Sequence, residues 1–343
     1  MAAPLRIGLL GCGAVACEHH LPALRTMSDV AVVAVADPNR TAAARASRFA
    51  SGADVHADAA ELLGRPDVDA VIVAAPSELH AELAAAAARA GKHVYVEKPL
   101  ATSEDEAKRV LDEVARSGVT AAMGFNRRRH PVYEQARKQL AAGRIGEVRF
   151  AQTAFCEPVG VDGLPEWKRT RAAGGGVLLD LGSHHFDLVR WFLRAEIEVV
   201  HARTRSDSSE QDEALTEIST NTSVHVQSLF SFRAAHADFI DFFGELGRLR
   251  VDRHRGALVV HLRRRSRYGI RRAWSSADRA VAWQARRFIG LGGDPSYGRA
   301  LHAFAQRLRG AQVELPSLED GLRSLHAVLA AERLAESPRV AAD

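Results

Sequence analysis

Leu5-Arg6-Ile7-Gly8-Leu9-Leu10 runs directly into Gly11-Cys12-Gly13-Ala14-Val15-Ala16. The first six residues read as a short apolar strand, and the next six form a GxGxxA turn that opens a helical stretch ending near Met27. Each small residue has a task. Gly11 makes the tight turn, Gly13 lets the backbone approach a pyrophosphate, and Ala16 permits close packing of helix on strand. The helix start then offers unpaired N–H groups and a positive dipole end to phosphates. Gly11, Gly13, Ala14 and Val15 are therefore candidate cofactor contacts.

Working outward, a second strand from Val30 to Ala36 ends at Asp37, about 20 residues past the turn. A carboxylate there accepts hydrogen bonds from ribose hydroxyls and repels a 2′-phosphate, which favours NAD. Arg40 offers a phosphate contact, so NADP stays open. Helices are expected at Ala44–Phe49, Glu78–Ala90 and Ser103–Ser117. The last has Ser103 as N-cap and Glu106 at capping-box spacing. Strands are expected at Val71–Val73, Val94–Val96 and Val119–Met123. This alternation predicts an α/β fold, a doubly wound parallel sheet over residues 1–123. Lys98 follows the fourth of these strands and is stopped by Pro99, so it sits at the carboxyl end, where such sheets hold their ligands. Ala75-Pro76-Ser77-Glu78-Leu79-His80 follows another strand end, and His80 is a further cofactor candidate.

Beyond Phe125 the pattern changes. A helix from Val132 to Ala142, closed by Gly143, is followed by strand-like runs at Val148–Phe155, Glu198–Thr204, Ser223–Phe232, Asp238–Phe243 and Leu249–Val251. Strands without intervening helices predict an α+β domain with a mixed sheet over residues 124–343. Inside it, Gly174-Gly175-Gly176 leads to Asp180 and His184, four apart on a helix, with Asp187 and Trp191 continuing that face. The glycines are expected to let backbone pass close to a ligand. His185 lines up instead with Leu181, Leu188, Val189 and Phe192 and reads as a core histidine. An Asp beside a His supports a general base. Trp167, Lys168, Arg169 and Arg171 precede the glycines as candidates for the substrate side. Residues 248–272 hold ten arginines without aromatic interleaving, which reads as a solvated, irregular insertion and not as a nucleic-acid surface. Ser206–Glu213 reads as a mobile loop. Helices are expected at Tyr297–Arg309 and Leu318–Ala335.

The 343 residues are 47% hydrophobic and 26% charged with a net charge of +4, values of an ordinary soluble protein. Cys12, Cys17 and Cys156 form neither a CxxC pair nor an even disulfide set, which predicts a reduced, cytoplasmic chain with no metal site. Arg6 to Cys12 mimics a very short export signal, but the turn gives that stretch another use. No run approaches the roughly 20 apolar residues of a membrane span.

Taken in order, these pieces resemble the Gfo/Idh/MocA oxidoreductases (glucose–fructose oxidoreductase, inositol dehydrogenase, rhizopine catabolism protein). The matching residues are Gly11 to Ala16, Asp37, Pro76 to His80, Glu97-Lys98-Pro99, Gly124-Phe125-Asn126-Arg127, Gly174 to His184 and Phe243 to Gly247, with the tail from Tyr297 to Gly321. Ala75-Pro76-Ser77 departs from the family's more frequent Thr-Pro-Asn. The resemblance implies a Rossmann domain followed by an α/β domain whose open sheet often joins subunits, here into a homodimer or homotetramer. It implies Lys98, Asp180 and His184 as the catalytic set, with the Lys98–Pro99 bond often cis. It also implies cofactor contacts at Ala75, Pro76 and Glu97, and substrate contacts at Asn126, Arg127, Trp167 and Arg169. The activity implied is an NAD(P)-dependent dehydrogenase or reductase acting on a CH–OH group of a carbohydrate-like small molecule. An NAD-dependent glycosidase with transient oxidation and a non-catalytic dinucleotide-binding regulator are the alternatives.

Overall fold

The apolar run before the glycine turn forms β1 (Leu5–Leu10), and the expected strands around it appear in the computed structural model as β2 (Val30–Ala36), β4 (Ala70–Val73), β5 (His93–Val96) and β6 (Ala121–Met123). A short β3 (Asp54–His56), which pattern reading misses, adds one edge. All six strands are parallel in the order β3-β2-β1-β4-β5-β6. The structure describes residues 3–159, 163–262, 272–275 and 294–336. Strand order reverses at β1, which lies between β2 and β4. The carboxyl ends there are where an open α/β sheet binds its ligand.

By contact the chain forms two units, one of residues 1–129 with 293–325 and the other of residues 130–292 with 326–343. The two-domain expectation assigned everything after residue 123 to the second domain. The core explains the difference. Ile7, Leu9, Val35, Ile72 and Tyr95 of one sheet face pack with Leu21, Leu24, Ala43 and Ala46, and also with Ala300, Leu301 and Phe304 of the helix Pro295–Leu308. That late helix completes the first core. The edge strand β6 is likewise met by late residues, because Met123 N–H donates to the Pro316 carbonyl at 2.9 Å.

The second unit is built on an eight-stranded mixed sheet. Its strands are β7 (Val148–Cys156), β8 (Ile197–Arg205), β9 (Glu213–Thr220), β10 (His225–Ser231), β11 (Ala237–Gly244), β12 (Gly247–Asp252), β13 (Ala257–Leu262) and β14 (Arg272–Ser275). Their order is β14-β13-β12-β11-β7-β10-β9-β8, with β7 and β10 parallel and the other pairs antiparallel. The helix Ser183–Leu193 lies on one face, with Phe186 edge-on to Phe230 and Phe192 edge-on to Phe242.

Two expectations are corrected here. Gly247–Asp252 and Ala257–Leu262 form an antiparallel hairpin in the sheet, so the arginine-rich stretch is not an irregular insertion over those residues. Among the described residues, Arg248, Arg250 and Arg253 are paired. Arg248 and Arg250 both bond the buried Asp241 at 2.7 Å, and Arg253 bonds the buried Asp238 at 2.6 Å. Arg263, Arg264 and Arg265 lie outside the described residues. Glu213, expected to close a loop, instead opens β9, while Asp212 organises Ser206–Gln211 by accepting from the backbone N–H of Asp207, Ser208 and Ser209.

Candidate active site

In the first unit the glycine turn is set by sterics. Gly11 has φ +92°, and a Cβ on it would lie 2.6 Å from the Ala74 carbonyl oxygen. Only glycine fits between the ends of β1 and β4. This close approach brings Gly11 against Ala74 and Ala75 at the switch point. Gly13, Ala14 and Val15 are exposed, and a Cβ on Gly13 would meet nothing within 4 Å, so the loop presents open backbone. Ala16 is fully buried, as close helix–strand packing requires. The helix begins irregularly, with a π turn at Ala16–His20 before Leu21–Leu24.

Asp37 closes the loop from the other side. One carboxylate oxygen accepts the Cys12 N–H at 2.8 Å and the other the Asn39 N–H at 2.8 Å. The capping role after β2 belongs to Asn39, which accepts from Thr41 and Ala42 at the start of the helix Arg40–Phe49. Arg40 stands exposed on the first turn of that helix. The Cys12 thiol is pushed up to about 12, by burial first and then by the nearby Asp37, so it stays protonated. Open backbone at Gly13, a helix start and a ribose-ready carboxylate fit a dinucleotide.

Lys98 follows β5, half-buried, on a cis bond to Pro99. Its neighbours are held on both sides. The Glu97 carboxylate lies 2.9 Å from Nε2 of the fully buried His20, and a Cβ on Gly124 would come 2.9 Å from Glu97. His20 also meets Tyr95 and Tyr297 edge-on. His80 is buried between two loops. Its Nδ1 lies 2.6 Å from the Pro99 carbonyl and its Nε2 2.8 Å from the Ala75 carbonyl. Both nitrogens lie against main-chain carbonyls, so the ring bridges the loop after β4 and the loop after β5. Burial pushes its pKa down. Asn126 is also committed inward, donating from Nδ2 to Ser296 Oγ at 2.8 Å, and Arg127 is buried beside it in sequence.

In the second unit, Asp180 sits in a π turn at Leu178–Gly182, closed by the Ser183 N–H donating back to the Leu178 carbonyl. His184 is in the first turn of Ser183–Leu193, 8% exposed, with its ring edge-on to Phe155. His185 is the core histidine expected. It is fully buried, stacked on Phe155, with Nε2 3.5 Å from Asp238. Asp180 has a partner that spacing did not reveal, because Lys168 Nζ donates to its Oδ2 at 2.7 Å. Burial opposes the charge on Lys168, yet Asp180 outweighs it and holds the ammonium above its ordinary pKa. Lys168 Nζ is also 5.4 Å from the centre of the Trp167 ring. Arg169 donates to the Leu164 carbonyl and Arg171 to Glu332. Gly175 is wedged against the turn before it. A Cβ there would lie 2.3 Å from the Lys168 carbonyl oxygen, so the close approach is to the chain's own backbone.

Comparison with known proteins agrees with these features. Residues 5–125 match the model of an oxidoreductase family with an NAD-binding Rossmann fold, and residues 133–250 match the GFO/IDH/MocA C-terminal domain. The chain is 31% identical over 331 residues to a dTDP-3,4-didehydro-2,6-dideoxy-alpha-D-glucose 3-reductase of Actinomadura kijaniata, covering 94% of this chain and 93% of that protein. It is 35% identical over 201 residues to inositol 2-dehydrogenase 2 of Saccharopolyspora erythraea, covering 58% and 57%. The crystal structure of a 3-ketoreductase from A. kijaniata in complex with NADP and TDP-benzene superposes with a TM-score of 0.80 at 29% identity, over 96% of this chain and 97% of that one. A levoglucosan dehydrogenase structure, at 24% identity and TM-score 0.84 over 97% of each chain, shares the fold. With its Rossmann turn, its mixed-sheet second unit and both family models in register, the chain belongs to the Gfo/Idh/MocA family of NAD(P)-dependent oxidoreductases.

Proposed function

We propose that this enzyme transfers hydride between nicotinamide and a secondary alcohol or ketone of a sugar, cyclitol or nucleotide-linked sugar. The observation that carries the reading is Lys98, presented at the carboxyl end of β5 in the unit that holds the Gly11–Asp37 cradle. Similarity over nearly the whole length to a reductase of a nucleotide-linked keto sugar supports the third substrate class.

When bound, the dinucleotide supplies the hydride acceptor or donor. In the oxidative direction His184 would take the proton of the substrate hydroxyl as the alcohol is oxidised to a ketone. Lys98 donates a hydrogen bond to the same oxygen and stabilises its developing negative charge. Asp180 orients the substrate and His184. A positioned base is typically worth about 10²–10⁴ in rate. Gly11, Gly13, Ala14, Val15, Asp37, Ala75 and Pro76 hold the cofactor, with Asp37 favouring NAD. We further infer a homodimer or homotetramer formed through the open sheet, where Val200 and Leu215 are more than half exposed.

The test is NADH absorbance with NAD and a panel of inositols, hexoses, uronic acids and sugar nucleotides, repeated with NADP. Lys98→Met and His184→Ala are expected to abolish turnover and leave NAD affinity nearly intact. Loss of NAD binding in both variants would sink the assignment.

A further inference from the structure

Asp180 carries its own counter-charge. The Lys168 ammonium lies 2.7 Å from Asp180 Oδ2, with the two side chains only 27% and 15% exposed. The short turn Glu166–Lys168 places it, and the backbone behind that turn is wedged. The Gly175 N–H donates to the Thr170 carbonyl at 2.9 Å, and a side chain at 175 would collide with the Lys168 carbonyl. The glycine run and Lys168 are thus one construction, and its far end is Asp180.

We propose that Lys168 is a positioning residue of the active site, whose ammonium fixes the direction in which the Asp180 carboxylate meets the substrate. This rests on the roles proposed for Asp180 and His184. A shielded carboxylate without a partner would take up a proton or swing toward water. Held by an ammonium hydrogen, it is a poor proton acceptor, and the role of base is left to His184. The same ammonium lies 5.4 Å from the centre of the Trp167 ring, a second contact that restricts the movement of the pair.

The experiment is a double-mutant cycle on the full-length chain with NAD and the panel compound that the wild type turns over. Lys168→Met is expected to lower kcat by about tenfold or more, since a small misplacement of a substrate-orienting group is costly. NAD affinity should stay within about twofold, because Lys168 is not in the cradle unit. In an Asp180→Asn background the same change should cost less than about twofold, since a residue acting through Asp180 has nothing left to hold. Lys168→Arg should recover most of the lost rate. Lys168→Met with kcat within twofold of wild type, or two effects that multiply in the double variant, would overturn the proposal. Full turnover in Asp180→Asn and His184→Ala would instead overturn the underlying assignment of the site.

Discussion

Gly11 shows how far a single residue can decide this site. Its positive φ and its 2.6 Å approach to the Ala74 carbonyl leave no place for a methyl group. Gly11→Ala is therefore expected to destabilise the fold by more than about 1 kcal/mol and to weaken NAD binding, read by urea unfolding and by calorimetric titration. Gly13→Ala faces open space and should cost little stability while affecting cofactor binding, which separates the two effects. Residues of this kind are legible in sequence because the turn demands a type, not a partner. Asp37 and Lys98 were legible for the same reason, each standing just past a strand. His80, Glu97 and Lys168 were singled out too, but what they meet was not legible. Their partners are 19, 77 and 12 positions away, at Pro99, His20 and Asp180, and no local pattern specifies such pairings.

At the scale of elements, strong periodicity was enough. The helix Glu104–Ser117 begins at Ser103 with the full reciprocal box to Glu106 and ends at Gly118 in the left-handed region. β9 escaped notice because three of its four buried positions, Ala214, Thr216 and Thr220, are small or polar while Leu215 faces outward, which blurs the alternation around the buried Ile218. β12 was expected at Leu249–Val251, but the charge density around it hid its partner β13 and the hairpin they form. Arg248 and Arg250 alternate with the buried Leu249 and Val251, and both guanidiniums converge on Asp241, itself 1% exposed. Arg250 also covers the Phe239 ring at 3.8 Å. Asp241→Ala should cost about 1–3 kcal/mol in urea unfolding, because both cations lose their buried acceptor. Arg248→Ala, with its side chain 42% exposed and Arg250 remaining, should cost less than about 1 kcal/mol.

For the whole molecule, the late helix Pro295–Leu308 matters most, because it returns to the first core with Leu301 and Phe304 buried. A fragment ending at residue 129 is therefore expected to unfold at lower urea than the same fragment joined to residues 294–325, or to aggregate, as size-exclusion chromatography would show. Such a crossing is invisible to a reading in chain order, which can see that residues 297–309 are helical but not where they belong. The two π turns have a consequence of a different sort. Each leaves a residue more in its turn than a regular α-helix would hold, one at Ala16–His20 after the cofactor loop and one at Leu178–Gly182 around Asp180. A helix with one residue deleted there could close normally and keep its hydrophobic face elsewhere. Everything before the deletion would nevertheless be turned by about 100° against the remainder of the helix. Asp180, before the deletion, would be carried round the helix axis relative to His184, after it, in a molecule that still folds. The register of this site is thus stored as a number of residues, so gain or loss of a single codon, with no change of chemical type, is a direct route by which such a protein could part from its activity and keep its shape.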